Sequence, residues 1–422
     1  MLKFFQNTQT NFWNMIKKPI LRDALLIGFG MAGARLTSFI FRYLALRILD
    51  VAEYGELALF INGFQVLTPF VGFHVGHALA VSYSSKSEKE NAGLTKASIL
   101  ICFFMSLIIT PISFILFKNY QINIQMAILI FFGFFSTSLL IISQGVMRGL
   151  IKPFNIALLE WSTSLGRVIF LFGFIALGVF SIKGPQYAFL FGSIFGGGVS
   201  ILFLIKYKIL NLLKLVTLNE IKPFINKIFN FSIYIVFAQS LTFSIHYLSR
   251  LSLSRFSFEQ VGIYDSALLL YSILQVGISG VGLAVVPYAS KRSQLGKKFI
   301  LPIRKILFLY IPISIIILII IRTQFFSSIL SFLRLDDYVS SLPIFMILLL
   351  VSPLELIFTT GSNILIGQDR TKDYFKTVLF VLPFHFILVW TAGKIIGEIG
   401  VAVVSIFTYL FLAWRTNCLL KK

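Results

Sequence analysis

The chain has 422 residues, of which 57% are hydrophobic and only 13% charged, with a formal net charge of +21. An ordinary soluble domain carries roughly 25% charged residues, so a soluble globular enzyme, a disordered chain and a collagen-like fibre are excluded. A spanning helix needs roughly 20 apolar residues, which places the chain among multi-pass membrane proteins and explains its positive charge without nucleic acid.

Taken in chain order, apolar runs predict spans at about 22–49, 54–83, 94–118, 122–149, 152–180, 184–208, 227–256, 260–290, 300–321, 338–367, 371–393 and 397–419. Twelve spans put both termini on one side. Arg47, Lys118, Lys183, Arg255, Arg322, Arg334 and Lys394 fall in breaks on the opposite side. The remaining loop cations, from Lys17 and Lys18 through Lys291 and Arg292 to Lys421 and Lys422, crowd the terminal side. Because Lys and Arg mark cytoplasmic loops, both termini are expected in the cytoplasm. Phe4, Phe5, Phe12, Trp13 and Ile16 beside Lys17 and Lys18 predict an interfacial segment over residues 1–20. Arg35 and Arg42 inside the first long run argue against a cleaved signal peptide. Cys102 and Cys418 both fall toward the cytoplasmic side, so neither a disulfide nor a metal site is expected.

The longest polar break, 209–226, divides the chain into spans 1–6 (residues 1–208) and spans 7–12 (residues 227–422). Thr217 and Glu220 in capping-box spacing predict a short helix within it. Val75-Gly76-His77-Ala78 is echoed by Val281-Gly282-Leu283-Ala284, and Glu53-Tyr54-Gly55 by Gln260-Val261-Gly262. The end of span 4, Arg148-Gly149-Leu150-Ile151-Lys152, is echoed by Gly367-Gln368-Asp369-Arg370. Offsets near 206, 207 and 218 in preserved order point to two parallel six-helix repeats, which in transporters enclose the substrate path. Gly192 and Gly196, like Ser193 and Gly197, are spaced for close helix contact. Gly28-Phe29-Gly30-Met31-Ala32-Gly33, with Asp50 downstream, matches a dinucleotide fingerprint. That chemistry needs a strand before the glycines, and a membrane span provides none.

Ionisable groups at bilayer depth are functional candidates, since each costs roughly 2.5–3.5 kcal/mol to insert. Arg35, Arg42, Arg167 and Arg250 qualify as anion-binding cations, opposed by Glu160, Glu355 and Asp265 in ion-pair or coupling roles. Arg35 and Arg42 are seven apart and share a helix face, about 10 Å apart along the axis. Two permanently charged guanidiniums on one wall suit a phosphate-bearing cargo. The competing structural pairings are Arg167 with Glu160, and Arg42 with Asp265 or a lipid phosphate. His74 and His77 are candidates for proton coupling. Together with His246 and His385, they are also what packed, hydrogen-bonded helix contacts use. No acidic or cysteine partner accompanies His74 and His77, so a metal site is not expected, and no cofactor is implied.

The stretch Arg47-Ile48-Leu49-Asp50-Val51-Ala52-Glu53-Tyr54-Gly55 resembles the outer turn after the first helix of polysaccharide flippases of the multidrug/oligosaccharidyl-lipid/polysaccharide (MOP) exporter superfamily. Phe258-Glu259-Gln260-Val261-Gly262-Ile263-Tyr264 is similar to the turn opening their second half, and Gly145-Val146-Met147-Arg148-Gly149 to the end of their fourth helix. The resemblance implies an all-α, V-shaped MOP/MATE-like pair of bundles around a central cationic cavity in the cell (inner) membrane, with Arg35 and Arg42 matching the basic residues of the first helix. It implies a flippase for undecaprenyl-pyrophosphate-linked oligosaccharide, in O-antigen-type surface polysaccharide biosynthesis, beside a polysaccharide polymerase and chain-length machinery. Ser249 departs from the pattern, standing where many relatives carry an acid before the pair Arg250-Leu251. Two other readings compete. A multidrug, organic-cation antiporter of the same fold should present acids to its cavity. A membrane-embedded polymerase or transferase acting on lipid-linked sugars wants a large outer catalytic loop, where this chain offers only Asp336-Asp337 in a short break.

Overall fold

The computed structural model describes residues 19–85, 87–116, 123–294 and 336–421, with positions 312, 315, 316 and 319. Every regular element among them is helical, and none is a strand. The predicted span at 300–321 and the interfacial stretch 1–20 lie outside these residues, apart from those isolated positions and the first turn of the first helix. In chain order the helices are α1 (Pro19–Ile48), α2 (Val51–Gly72), α3 (Val75–Ser85), α4 (Glu88–Leu116), α5 (Ile124–Gly149), α6 (Pro153–Ala176) and α7 (Lys183–Lys206). After α8 (Ile209–Leu212) come α9 (Lys222–Ser254), α10 (Phe258–Gln294), α11 (Leu342–Gly367), α12 (Thr371–Ile396) and α13 (Glu398–Lys421). Seven of them are long and apolar enough to cross a bilayer by themselves: α4 to α7, α11, α12 and α13. On α12, Phe380, Phe384 and Ile387 turn one side outward, each 57–58% exposed. An outward apolar stripe of this kind is the surface that lipid, not water, covers.

The second predicted span is two helices, because Phe73 and His74 take left-handed φ values of 42° and 51° and break the ladder between α2 and α3. Short polar side chains start the helices where the sequence places them. Asp50 Oδ1 accepts from Glu53 N at 2.7 Å, and Asn123 Oδ1 from Met126 N at 2.9 Å, each satisfying an orphan donor of the first turn. Asp50 is therefore the cap of α2. The glycines of the apparent fingerprint lie within α1, where Gly30 meets the backbone of Ala157 and Gly33 the ring of Trp161 on α6. On α7, Gly192 admits Arg167, Gly196 admits Thr163 and Gly197 admits Ser136, so these small residues bring α5 and α6 onto α7.

The linker corrects one expectation. Glu220 Oε2 accepts from Thr217 N at 2.9 Å and from Thr217 Oγ1 at 3.1 Å, but the pair closes a turn, and the short helix lies upstream at Ile209–Leu212. Lys89 of α4 donates to Glu220 at 2.8 Å, and Lys96 Nζ donates to Val216 O at 2.7 Å. Chiefly through Lys89, then Thr217, the Glu220 carboxyl is held at about 2 against an ordinary 4.5. A depressed carboxyl stabilises above the unfolded value and loses its contribution as pH falls through the folded one. The protection factors of the amides over 213–221, taken against the intrinsic exchange rate at each pH, are therefore expected to fall as pH drops from about 4.5 toward 2, and Glu220→Gln should flatten that dependence.

The helices form two packed sets. In one, α1 lies on α6, α6 on α7, α7 on α5, and α5 on α3 and α4; in the other, α10 lies on α11, α11 on α13, α13 on α12 and α12 on α9. The sets meet where α2 lies against α9 and α10, α1 against α10, and α4 against α9. Buried on nearly all sides, α2 sends Phe60 and Phe64 into one core and Ala58, Leu59 and Val66 into the other.

Two details repeat between the sets. At the end of α5, Leu150 N donates to Val146 O, Ile151 N to Arg148 O and Lys152 N to Met147 O; at the end of α11, Gln368 N donates to Ile364 O, Asp369 N to Ile366 O and Arg370 N to Leu365 O. Every partner is displaced by 218 residues, and Ile151 and Asp369 share the left-handed conformation, with φ of 53° and 59°. This is a helix-ending motif that glycine fills most easily. A β-branched residue there is strained, by about 1–2 kcal/mol, whereas Asp tolerates it. Ile151→Gly is expected to raise the apparent melting temperature, by about 1 kcal/mol of stability, and Asp369→Gly to change it much less. The second repeated detail lies at the other end of the molecule. A Cβ on Gly55 would collide with Phe258 O, and one on Gly262 with Val51 O. Glycine and carbonyl are exchanged between the sets at an offset of 207, the signature of a local two-fold axis.

Candidate functional site

Charged groups descend along the junction of the two sets, beginning at the Gly55/Gly262 end. There the Asp265 carboxylate of α10, only 1% exposed, gathers three partners from three helices. Arg42 Nη1 of α1 lies 3.0 Å from Oδ2 and the Tyr54 hydroxyl of α2 donates to the same oxygen at 2.9 Å. Arg250 of α9 donates to Oδ1 from Nε at 2.8 Å and from Nη2 at 2.5 Å, and its Nη1 donates to His246 O at 2.9 Å. Two cations share one anion, so the cluster keeps a net positive charge. A buried ion pair repays its desolvation only when such hydrogen bonds accompany it.

About two turns deeper along α1 lies Arg35. Its side chain is exposed, and among the described residues no carboxylate stands within ion-pair distance of it. It nevertheless feels the charges of Glu160 on α6, Glu355 on α11 and Arg42 on its own helix. Acids from both helix sets thus lie within electrostatic reach of Arg35. Glu355 accepts from the Tyr271 hydroxyl at 2.6 Å and Gln275 Nε2 at 3.1 Å. Glu160 lies 3.7 Å from Arg148.

Of the sequence candidates, the structure brings Arg42, Arg250 and Asp265 into one cluster and leaves Arg35 open beside it. The pairing of Arg42 with Asp265 is present; that of Arg167 with Glu160 is replaced. Arg167 stacks 4.0 Å over the Phe189 ring and reaches Ser193 Oγ at 3.5 Å, while Glu160 turns to Arg148. The cause is Gly192, whose missing side chain lets the Arg167 stem lie against α7. His74 and His77 stack with ring centroids 5.3 Å apart at the break between α2 and α3, away from the Asp265 cluster. His385 is bonded to Thr408 Oγ1 at 2.8 Å and Ile245 O at 3.0 Å, and His246 to Tyr409 at 2.9 Å. These two are packed histidines joining α9, α12 and α13. Ser249 lies 3.3 Å from His385 Nε2, and Arg250 takes its counter-ion from α10 instead. Sequence reasoning did not single out Tyr54, Tyr271 or Gln275. Tyr271 and Gln275 lie six and ten residues beyond Asp265 on α10, about two and three turns, which is the signal that could have found them, whereas Tyr54 reaches Asp265 from a different helix.

An all-helical array with an apolar exterior and a charged internal seam defines a multi-pass membrane protein, and comparison with known structures agrees. The chain matches a eukaryotic MATE transporter, AtDTX14, at 15% identity and a TM-score of 0.66 over 95% of this chain and 96% of that one. It matches the Vibrio cholerae MATE transporter VcmN in its bent form at 11% identity and 0.67, with 95% and 96% covered. This is the MATE fold, which is also that of an inward-facing multidrug resistance transporter of the MOP superfamily, matched at 15% identity and 0.65 over 94% of each chain. No curated protein matches the sequence significantly. The profile of the family described as polysaccharide biosynthesis protein matches residues 20–293, and the chain belongs to that family.

Proposed function

We propose that the protein is a flippase that carries undecaprenyl-pyrophosphate-linked oligosaccharide repeat units from the cytoplasmic to the outer leaflet by alternating access, in surface polysaccharide and O-antigen-type biosynthesis. The observation that carries this reading is Arg35: a permanent cation in the first helix, exposed, without an ion-pair partner among the described residues and within electrostatic reach of acids from both helix sets. In this reading residues 1–208 and 227–422 are six-span bundles joined by the cytoplasmic linker 209–226, and both termini face the cytoplasm of the inner membrane. The Gly55/Gly262 end is then the outer one. A diphosphate would pass from Arg35 toward Arg42, with Arg250 and Arg167 adding positive charge to the route, while the polyprenyl chain stays in lipid. Glu160, Glu355, His74 and His77 supply ion-pair or coupling groups. The polysaccharide polymerase and chain-length machinery would receive the product.

Energetically, little is asked of the protein. Moving one negative charge outward along a 100 mV potential, inside negative, gains about 2.3 kcal/mol, so sheltering the headgroup is the main requirement. An organic-cation antiporter is disfavoured, because an open arginine on the route repels such a cargo. The test is leaflet-resolved flipping of lipid-linked oligosaccharide in vesicles containing this protein alone. Protein-dependent transfer is expected; none beyond that in empty vesicles, with export of organic cations instead, would overturn the assignment.

A further inference from the structure

The Asp265 cluster does more than neutralise charge. It joins Arg42 and Tyr54, from the set containing α1 and α2, to Arg250 and Asp265, from the set containing α9 and α10. It lies beside the reciprocal Gly55/Gly262 contact, where backbone meets backbone across the same junction. The two sides of the cluster are unequal. Arg250 is 5% exposed and uses Nε, Nη1 and Nη2, whereas Arg42 is 18% exposed and reaches Asp265 through Nη1. Arg42 is thus the more accessible of the two arginines, two turns along α1 from Arg35.

We propose that the Arg42–Asp265–Arg250 cluster, with Tyr54, is an exchangeable latch: Asp265 holds the two sets closed at the Gly55/Gly262 end, and a diphosphate arriving at Arg42 displaces it. A guanidinium that turns its fork to a diphosphate releases the carboxylate it held. Tyr54 is bonded to that same carboxylate oxygen, so losing Arg42 weakens both links between the sets. Arg250 stays with Asp265, so the charge left behind remains paired within one set and its desolvation penalty is not incurred. The cargo's own charge becomes the signal that opens the far side. This inference rests on the flippase reading for its cargo, but the latch itself does not.

The two parts are separable by pulsed dipolar spectroscopy. Spin labels go on Ala52→Cys and Glu259→Cys, exposed positions flanking the contact on either set, in full-length protein with Cys102→Ala and Cys418→Ala, reconstituted in lipid. Without ligand, Asp265→Asn is expected to add a longer-distance population, Tyr54→Phe a smaller one, and Asp265→Glu none. An unchanged distribution in both Asp265→Asn and Tyr54→Phe would overturn the latch. Asp265→Glu controls for folding, since a variant that merely loosens the protein would open there too. A short-chain polyprenyl diphosphate is expected to produce the same shift in the otherwise unmodified protein, and the matching polyprenol none. A latch that opens on Asp265→Asn but ignores the diphosphate would overturn the displacement step and count against the cargo, leaving the closure role intact.

Discussion

Replacing Arg35 with alanine is expected to abolish flipping of the lipid-linked oligosaccharide while the protein inserts and stays folded. The two halves of that statement have different causes. Arg35 has no ion-pair partner among the described residues and its side chain is exposed, so its removal leaves no buried carboxylate stranded. Its charge, however, is what offsets the desolvation of a diphosphate entering the bilayer. A hydrogen bond to a charged group contributes about 1.5–3 kcal/mol, and a two-pronged contact to phosphate more than one of these. Each 1.4 kcal/mol is tenfold in rate, so a loss of two or more orders of magnitude is expected. Arg35→Lys keeps the charge but not the planar fork, and should retain part of the rate. Leaflet-resolved flipping and size-exclusion behaviour of the purified variants check both halves. Full activity of the alanine variant would remove Arg35 from the route.

The contrast with Arg250 shows how much of the site sequence could reach. Both arginines lie within apolar runs and look alike in one dimension; the structure separates them because Arg250 has Asp265 and Arg35 has no such neighbour among the described residues. What was legible was whatever local periodicity and composition encode: the all-helical, membrane-spanning class of the chain and the shared face of Arg35 and Arg42. Partner choice was not, because it depends on contacts between distant stretches of chain. Arg167 illustrates the point. Its spacing to Glu160 suits a same-helix pair, yet a single small residue on α7, Gly192, opens a berth that draws the side chain to Phe189. The break at Phe73–His74 was hidden for a related reason. Its left-handed backbone involves neither glycine nor asparagine, so nothing in the residue types announced it. Of the three loose echoes in the sequence, the one at the ends of α5 and α11 carries the same hydrogen-bond pattern twice, a likeness that residue types alone did not specify.

Alanine at Gly55, or at Gly262, is expected to destabilise the protein and open the end of the molecule where they meet. Neither glycine has positive φ, and both lie within helices, where Gly→Ala alone gains about 1 kcal/mol. Propensity therefore predicts stabilisation, and a net loss reports the contact between the sets. A Cβ at either position collides with a carbonyl oxygen of the other set, and backbone cannot rotate aside as a side chain can. Overpacking of this kind costs about 1–3 kcal/mol, and it also draws Arg42 and Tyr54 away from Asp265. Because the contact is reciprocal, the two substitutions should have similar effects. They should also fail to add. Once one methyl has separated the strips Val51–Gly55 and Phe258–Gly262, the second finds the space already made, so the double variant should cost less than the two singles together, by about 0.5–3 kcal/mol of coupling. Thermal unfolding of the four proteins in detergent gives the cycle, and the Ala52/Glu259 label pair reads the separation directly. Additive losses, or stabilisation at either glycine, would mean that the halves do not bear on one another there, and the closed end would have to be held by the Asp265 cluster alone.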